Sequence, residues 1–380
     1  MKHFFLYLIL TAQIAFSQVW KFGSQIRYRY EAVDKDFSDE TSLNSFGAQR
    51  TRFNAKYTQD DLSLFIQIQD MRNYGSEIST LDDGSADNLD LHQGYITYSG
   101  FGSYTMKMGR FEQPFGNQRI MGAVGWHNIG RSFDGFVFSQ KLGGHSIDYF
   151  TLNLNETYPD GLDEDDFYVN GANVVFAKEI PFLNETLFIQ DGDRFTSHTS
   201  LKQPIGNVTL FSEVGYQFGK LTDETDVKAW MASVSAKLPL NSITLVGGAD
   251  MVSGDDSSTD ESESFNTLYA TNHKFYGHMD YFLNLPVHTS SLGLVNLYGS
   301  LQFKLFSLNQ KLTVHQFLSQ QEDADGNSDF GLEVDYSLSK KLNDQFGLSL
   351  GYSMFQPGQL KSDTDEMAQW LYAMMTVTVK

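Results

Sequence analysis

Gln25-Ile26-Arg27-Tyr28-Arg29-Tyr30-Glu31-Ala32 and, after a polar interval, Arg50-Thr51-Arg52-Phe53-Asn54-Ala55-Lys56-Tyr57 set polar residues against apolar ones with a period of two. That period belongs to a β-strand, whose successive side chains point to opposite faces. It recurs along the chain. Glu333, Asp335 and Ser337 oppose Leu332, Val334, Tyr336 and Leu338, and Gly347 to Ser353 oppose Phe346 to Met354. Each run is about 9–13 residues, longer than a common globular strand and suited to a tilted membrane-crossing one. In a sandwich the charged face would meet solvent over an apolar core. In a barrel it would face a watery lumen while the apolar face meets lipid. The expected fold is all-β, an antiparallel transmembrane β-barrel.

The 380 residues carry a formal charge of −20 and no cysteine. Disulfides, thiolate metal sites and cysteine nucleophiles are excluded. A globally basic surface for nucleic acid or anionic lipid is excluded as well. A mean hydropathy of −0.32 argues against a helical membrane protein and permits an alternating barrel. Lys2, the apolar run Phe4 to Phe16 and Ala15-Phe16-Ser17 read as a signal peptide over 1–17, leaving a mature barrel domain over 18–380. Its removal takes one lysine and no acid, so the mature charge is −21. Such a chain crosses a membrane only as a closed sheet.

Connection lengths set the strand count. Short ones include 59–61, 99–102, 141–144, 238–241, 306–309 and 340–344; long polar or acidic ones are 34–46, 73–89, 112–132, 156–167, 253–291, 320–327 and 356–367. With both ends in the periplasm and the long loops outside, the pattern predicts 18 strands, with 16 as the alternative. Residues 270–284 are assigned to a loop, because a strand there would make the number odd.

All nine arginines lie between Arg27 and Arg194. Arg27, Arg29, Arg50 and Arg52 share the charged faces of the first strands. A charge facing lipid at midplane costs about 2–4 kcal/mol, so these four are expected to point inward. There they would line a path for carboxylated solutes or neutralise acids across the barrel; the sequence leaves both open. The stretch 109–135 joins two strands through Gly109-Arg110, Gly116-Asn117-Gln118-Arg119-Ile120-Met121-Gly122 and Trp126-His127-Asn128-Ile129-Gly130-Arg131-Ser132-Phe133-Asp134-Gly135. Phe111, Phe115, Trp126 and Phe133 are expected to anchor it to the wall, with Arg119, Arg131 and Asp134 projecting into the pore mouth. These elements, with Gln69-Asp70-Met71-Arg72 and Leu268 to Gly277 followed by Met279-Asp280, resemble the alginate-export family of outer-membrane barrels. The resemblance implies an 18-stranded barrel of the Gram-negative outer membrane whose basic lumen passes an anionic polyuronate. By motif position it makes Asp70, Arg72, Arg110, Arg119, Arg131 and Asp134 conduit residues. The expected partners are outer-membrane lipid and an anionic oligo- or polysaccharide, with no nucleic acid, and a monomeric barrel is the arrangement expected.

Signals for chemistry are weak. Gly144-His145-Ser146-Ile147-Asp148 lacks the final glycine of a nucleophile elbow and lies on a strand. His273 and His278, five apart, would face opposite sides of an extended chain. No cofactor is expected. The acidic runs Asp160–Asp166 and Asp255–Glu263 could hold Ca²⁺ loosely but suit solvated faces better, and Asp323 to Asp329 reads as a turn rather than a calcium loop. Three functions remain: a passive conduit for anionic saccharides, a general porin, and, from another class, an outer-membrane enzyme or secreted β-sandwich lectin.

Overall fold

In the computed structural model, which describes residues 20–38, 43–75, 89–155, 167–177 and 182–380, the opening alternation becomes a hairpin. Strand β1 (Trp20–Asp34) pairs antiparallel with β2 (Asn44–Gln59), with Arg27 opposite Arg50 and Gln25 opposite Arg52. The sheet continues through β3 (Leu62–Asn73), β4 (Leu89–Phe101), β5 (Tyr104–Phe111), β6 (Phe133–Leu142), β7 (His145–Asn155), β8 (Phe167–Val175) and β9 (Phe182–Asp191). It runs on through β10 (Arg194–Ile205), β11 (Val208–Thr222), β12 (Thr225–Leu240), β13 (Ile243–Val252), β14 (Leu294–Leu305) and β15 (Leu308–Leu318). It ends with β16 (Asp329–Lys341), β17 (Phe346–Pro357) and β18 (Ala368–Val379). Each strand pairs with the next, and β18 pairs back onto β1. The sheet of 18 strands is therefore closed, and every strand edge is satisfied, as a lipid environment demands. Residues 270–284 form no strand; a short 3₁₀ turn, Asn272–Lys274, lies among them.

Parity decides what each face meets. Phe22, Ile26, Phe53, Ile68, Val214, Val234 and Leu350 are exposed on the outside of the wall. Rings gather there too, as in the Trp20–Tyr57 and Phe195–Phe218 contacts at 5.2 and 5.4 Å. This is the apolar band with aromatic borders of a lipid-embedded barrel. Two outer connections depart from the long-loop pattern: β9–β10 and β11–β12 turn through only residues 192–193 and 223–224. The leader 1–17 and the acidic run 160–166 lie outside the described residues, as do parts of the long connections at 34–46, 73–89 and 156–167.

The inner face is not uniformly polar. Phe150, Leu152, Val169, Leu187 and Ile189 point inward from β7, β8 and β9 and are buried. An apolar patch inside a watery lumen needs a cover. The connection 112–132 supplies it, folding inward with Phe115, Ile120 and Met121 against the patch; Phe115 meets Phe150 at 5.1 Å. The connection 253–293 also folds inward and seats Phe265, Tyr276, Met279 and Phe282 in the same core. Each such side chain contributes roughly 1.5–3 kcal/mol on burial.

Candidate functional site

The two inward loops form a crosspiece. An isolated parallel bridge joins Met121 to Tyr269, Gly122 N donates to Tyr269 O at 2.8 Å, and Thr271 Oγ1 donates to Gln118 Oε1 at 2.8 Å. Arg131 adds a guanidinium donor to the carbonyls of Tyr269 and Ala270. Trp126 of the first loop stacks on His273 of the second at 4.9 Å, and His273 on His278 at 5.2 Å. The two histidines meet because the chain turns through Asn272–Lys274 instead of running extended, which corrects the sequence expectation.

The arginines of β1 and β2 do point inward, and they hold the first loop. Arg27 donates to the carbonyls of Gly125 and His127, both at 3.0 Å, and to Asn128 Oδ1 at 2.9 Å. Arg50 reaches the same two carbonyls at 3.3 and 3.2 Å. Arg29 donates to Trp126 O at 2.9 Å and to Glu31 at 2.7 Å, with its guanidinium 4.6 Å over the Trp126 ring. Arg52 donates to Gln69 at 2.7 Å and to Glu112 and Ile129 O, both at 3.2 Å. All four are buried. Carbonyl acceptors take the terminal N–H groups of Arg27 and Arg50 without cancelling their charge, and the Nε of each is buried without a partner. Four guanidinium groups face two carboxylates, Glu31 and Glu112, so this wall keeps a net charge of +2. His127 responds to it: burial and the charges of Arg29 and Arg27 lower its pKa. Glu112 responds the other way. Burial raises its carboxyl pKa, but the His92 hydrogen bond and the Arg52 charge outweigh that and hold it below the ordinary value.

Arg119 crosses to the opposite wall. Fully enclosed, it donates to Glu213 (β11) at 3.2 Å, Ser233 (β12) at 3.2 Å and Asp250 (β13) at 2.9 Å, with its guanidinium 3.8 Å over Phe275. Burial opposes its charge, yet Asp250, Tyr276 and Glu213 more than compensate and raise its pKa. Burial, first of all, pushes the Tyr276 hydroxyl up to about 12. Glu333 and Asp335 of β16 also point inward; Glu333 accepts Met279 N at 2.8 Å. Glu213 and Asp250 thus meet Arg119 on the side of the lumen away from the basic wall, while Glu333 and Asp335 lie three strands from β1.

The remaining motif residues are not in the lumen. Asp70 and Arg72 share the face of outward-pointing Ile68 and pair with each other, with Arg72 Nε 2.8 Å from Asp70 Oδ1. Arg110 and Asp134 share the face of exposed Met108, opposite in register, and pair at 2.6 Å. All four sit at the long-loop ends of their strands, where an outward charge costs only about 0–1 kcal/mol. The conduit expectation for Asp70, Arg72, Arg110 and Asp134 is therefore corrected by strand parity. Arg119 is enclosed rather than projecting into the mouth, and Arg131 joins the two loops.

Lysines occupy the lumen positions that sequence reasoning missed. Lys21 and Lys56 lie opposite each other on β1 and β2; Lys107 and Lys141 point inward from β5 and β6. Lys202 and Lys237 follow on β10 and β12, Lys304 and Lys311 on β14 and β15, and Lys341 on β16. Each lies within four residues of its strand's short-turn end. The signal was available: these lysines share parity with residues already assigned inward.

The acidic run Asp255–Glu263 is turned on itself, Asp255 Oδ1 accepting Glu263 N and Ser264 N at 2.7 and 2.6 Å. Among the described residues no three metal-ligand side chains gather. Asp323 caps a turn by accepting Asp325 N and Asn327 N, and Ser146 lies on β7.

The family model for alginate export matches residues 19–166, which span the first loop and the arginine hairpin that clamps it. Over that stretch the chain is similar to the alginate export family. Solved structures resemble this barrel along nearly its whole length. OpdL of Pseudomonas aeruginosa gives a TM-score of 0.67 at 14% identity, covering 95% of this chain and 98% of that one. OpdK of the same organism, crystallised with vanillate, gives 0.62 at 13%, covering 94% and 98%. A BenF-like porin from Pseudomonas fluorescens Pf-5 gives 0.61 at 12%, covering 95% and 98%. At such identities the likeness is one of fold. No curated protein sequence matches this one. The match and the fold place the barrel in the Gram-negative outer membrane.

Proposed function

We propose that this outer-membrane channel passes anionic saccharides of the uronate type passively. The observation that carries the reading is the uncancelled positive wall of Arg27, Arg29, Arg50 and Arg52, set across the lumen from Glu213 of β11 and Asp250 of β13. Inside a narrow lumen such a field lowers the barrier for carboxylates on one side, while opposing acids keep binding weak enough for release. The arginines act through their field and through the loop they position, rather than by open contact. The family description, alginate export, agrees with a polyuronate cargo. The test is a reversal potential in planar bilayers together with conductance block. Anion preference and block by uronate oligomers, but not by neutral malto-oligosaccharides, support the reading; cation preference or equal block by both contradicts it. A second reading, passage of small carboxylates, is favoured by the vanillate in the OpdK structure and by the crosspiece that narrows this lumen. Block by vanillate without block by uronate oligomers would select it.

A further inference from the structure

The outer face of the wall carries one charge that neither the lumen nor the loops explain. Lys340 of β16 lies opposite Leu348 of β17, which lies opposite Met375 of β18, and both of these are exposed on the outside. Lys340 has the parity of outward Leu332, so its side chain leaves the barrel toward lipid. It stands next to the last residue of β16, at the short-turn end. Its neighbour Lys341 points into the lumen and pairs with Asp344 at 2.9 Å. Other outward charges, such as Asp70 with Arg72, Arg110 with Asp134 and Lys220 with Asp226, sit at the long-loop ends and pair with each other. Among the described residues Lys340 is the one acid, lysine or arginine facing lipid in the short-turn halves of the strands, and no acid pairs with it. An outward charge is tolerated at headgroup depth, where the aliphatic stem lies on apolar surface and the ammonium reaches the interface.

A groove on the same outer face begins at this lysine. It encloses about 760 Å³, and Lys340 lines it with Leu338, Leu348, Leu350, Ala373 and Met375. The strand register explains the indentation. Ala373 stands between Leu350 of β17 and Tyr30 of β1, so a methyl sits where its row neighbours carry large side chains. Leu338 and Leu350 form the next outward row from Lys340 and Leu348 toward the middle of the strands. The groove therefore runs from headgroup level into the hydrocarbon.

We propose that this groove binds one anionic glycerophospholipid of the periplasmic leaflet, with an acyl chain over Ala373 and the phosphate on Lys340. A second copy of the barrel docked here would leave Lys340 unpaired, because the described strands present no lipid-facing acid at that depth. A phosphate supplies the missing partner. A zwitterionic lipid carries its own ammonium beside the phosphate, so the field of one lysine favours the anionic headgroup. The site is independent of what passes through the lumen.

The test is native mass spectrometry of the intact barrel, released from micelles holding equal amounts of phosphatidylglycerol and phosphatidylethanolamine with the same acyl chains. One phosphatidylglycerol is expected to be retained over phosphatidylethanolamine by about fivefold, the preference a single lysine near anionic lipid supplies. Lys340→Gln is expected to abolish that preference, and Lys341→Gln, on the lumen side, to keep it. Ala373→Phe fills the groove and is expected to reduce retention of both lipids. Heat-modifiable mobility checks that each variant is folded. Equal retention of the two lipids by the unaltered protein, a preference that survives Lys340→Gln, or undiminished retention in Ala373→Phe overturns the site. So does retention of lipid A in place of phosphatidylglycerol when both are supplied, or the appearance of dimers in place of bound lipid.

Discussion

At the residue scale the arginines divide into two groups that identical chemistry conceals. Arg119 has both acid partners enclosed with it, and removing one side of a buried pair leaves charge uncompensated, a loss of about 3–5 kcal/mol. Arg119→Met is therefore expected to free the first loop, raise single-channel conductance and lower the temperature of the heat-modifiable transition; unchanged conductance contradicts its bridging role. Arg110→Ala removes an outward, partly exposed pair worth about 0–1 kcal/mol and should alter neither selectivity nor that temperature measurably. A large selectivity shift would place Arg110 back in the lumen. Glu112 supplies a pH dependence. Its folded pKa lies below the ordinary glutamate value of 4.5, so its contribution is fully present above 4.5 and is lost as pH falls through the folded value. Acidification below 4.5 should loosen the start of the first loop, read as a rise in conductance, and Glu112→Gln should behave at pH 7 as the unaltered protein does in acid.

At the element scale the strands were legible because a lipid-facing strand cannot escape its period: an outward polar residue at midplane is too costly. The loops were less legible. Aromatic anchors at Phe111, Phe115, Trp126 and Phe133 could be named, since large apolar side chains in a connection need a surface to cover. The clamp that Arg27 and Arg50 place on Gly125 and His127 could not, because its acceptors are backbone carbonyls, which leave no mark in side-chain identity. Arg72 and Arg110 were misplaced by reading a motif without counting parity from Ile68 and Met108. The base of the second loop depends on a backbone-to-backbone contact: a Cβ on Gly254 would stand 2.2 Å from Leu292 C. Gly254→Ala should unseat residues 253–293, seen as faster protease cleavage within them. Cleavage at the unaltered rate contradicts this packing.

At the scale of the whole molecule, charge is sorted along and across the barrel. Acids collect in the outer loops, lysines at the opposite mouth, and an arginine wall faces a carboxylate wall at the crosspiece. None of this follows from the net charge of −20, which would by itself suggest a channel that rejects anions. The closed sheet of 18 strands gives every inward residue a fixed place, so local parity becomes a global field. The most direct test of this arrangement is the reversal potential and single-channel conductance of Arg27→Ala/Arg50→Ala under a KCl gradient. Loss of two uncancelled charges and of the carbonyl clamp should shift selectivity toward cations and raise conductance together. Selectivity and conductance both equal to those of the unaltered protein would contradict the account.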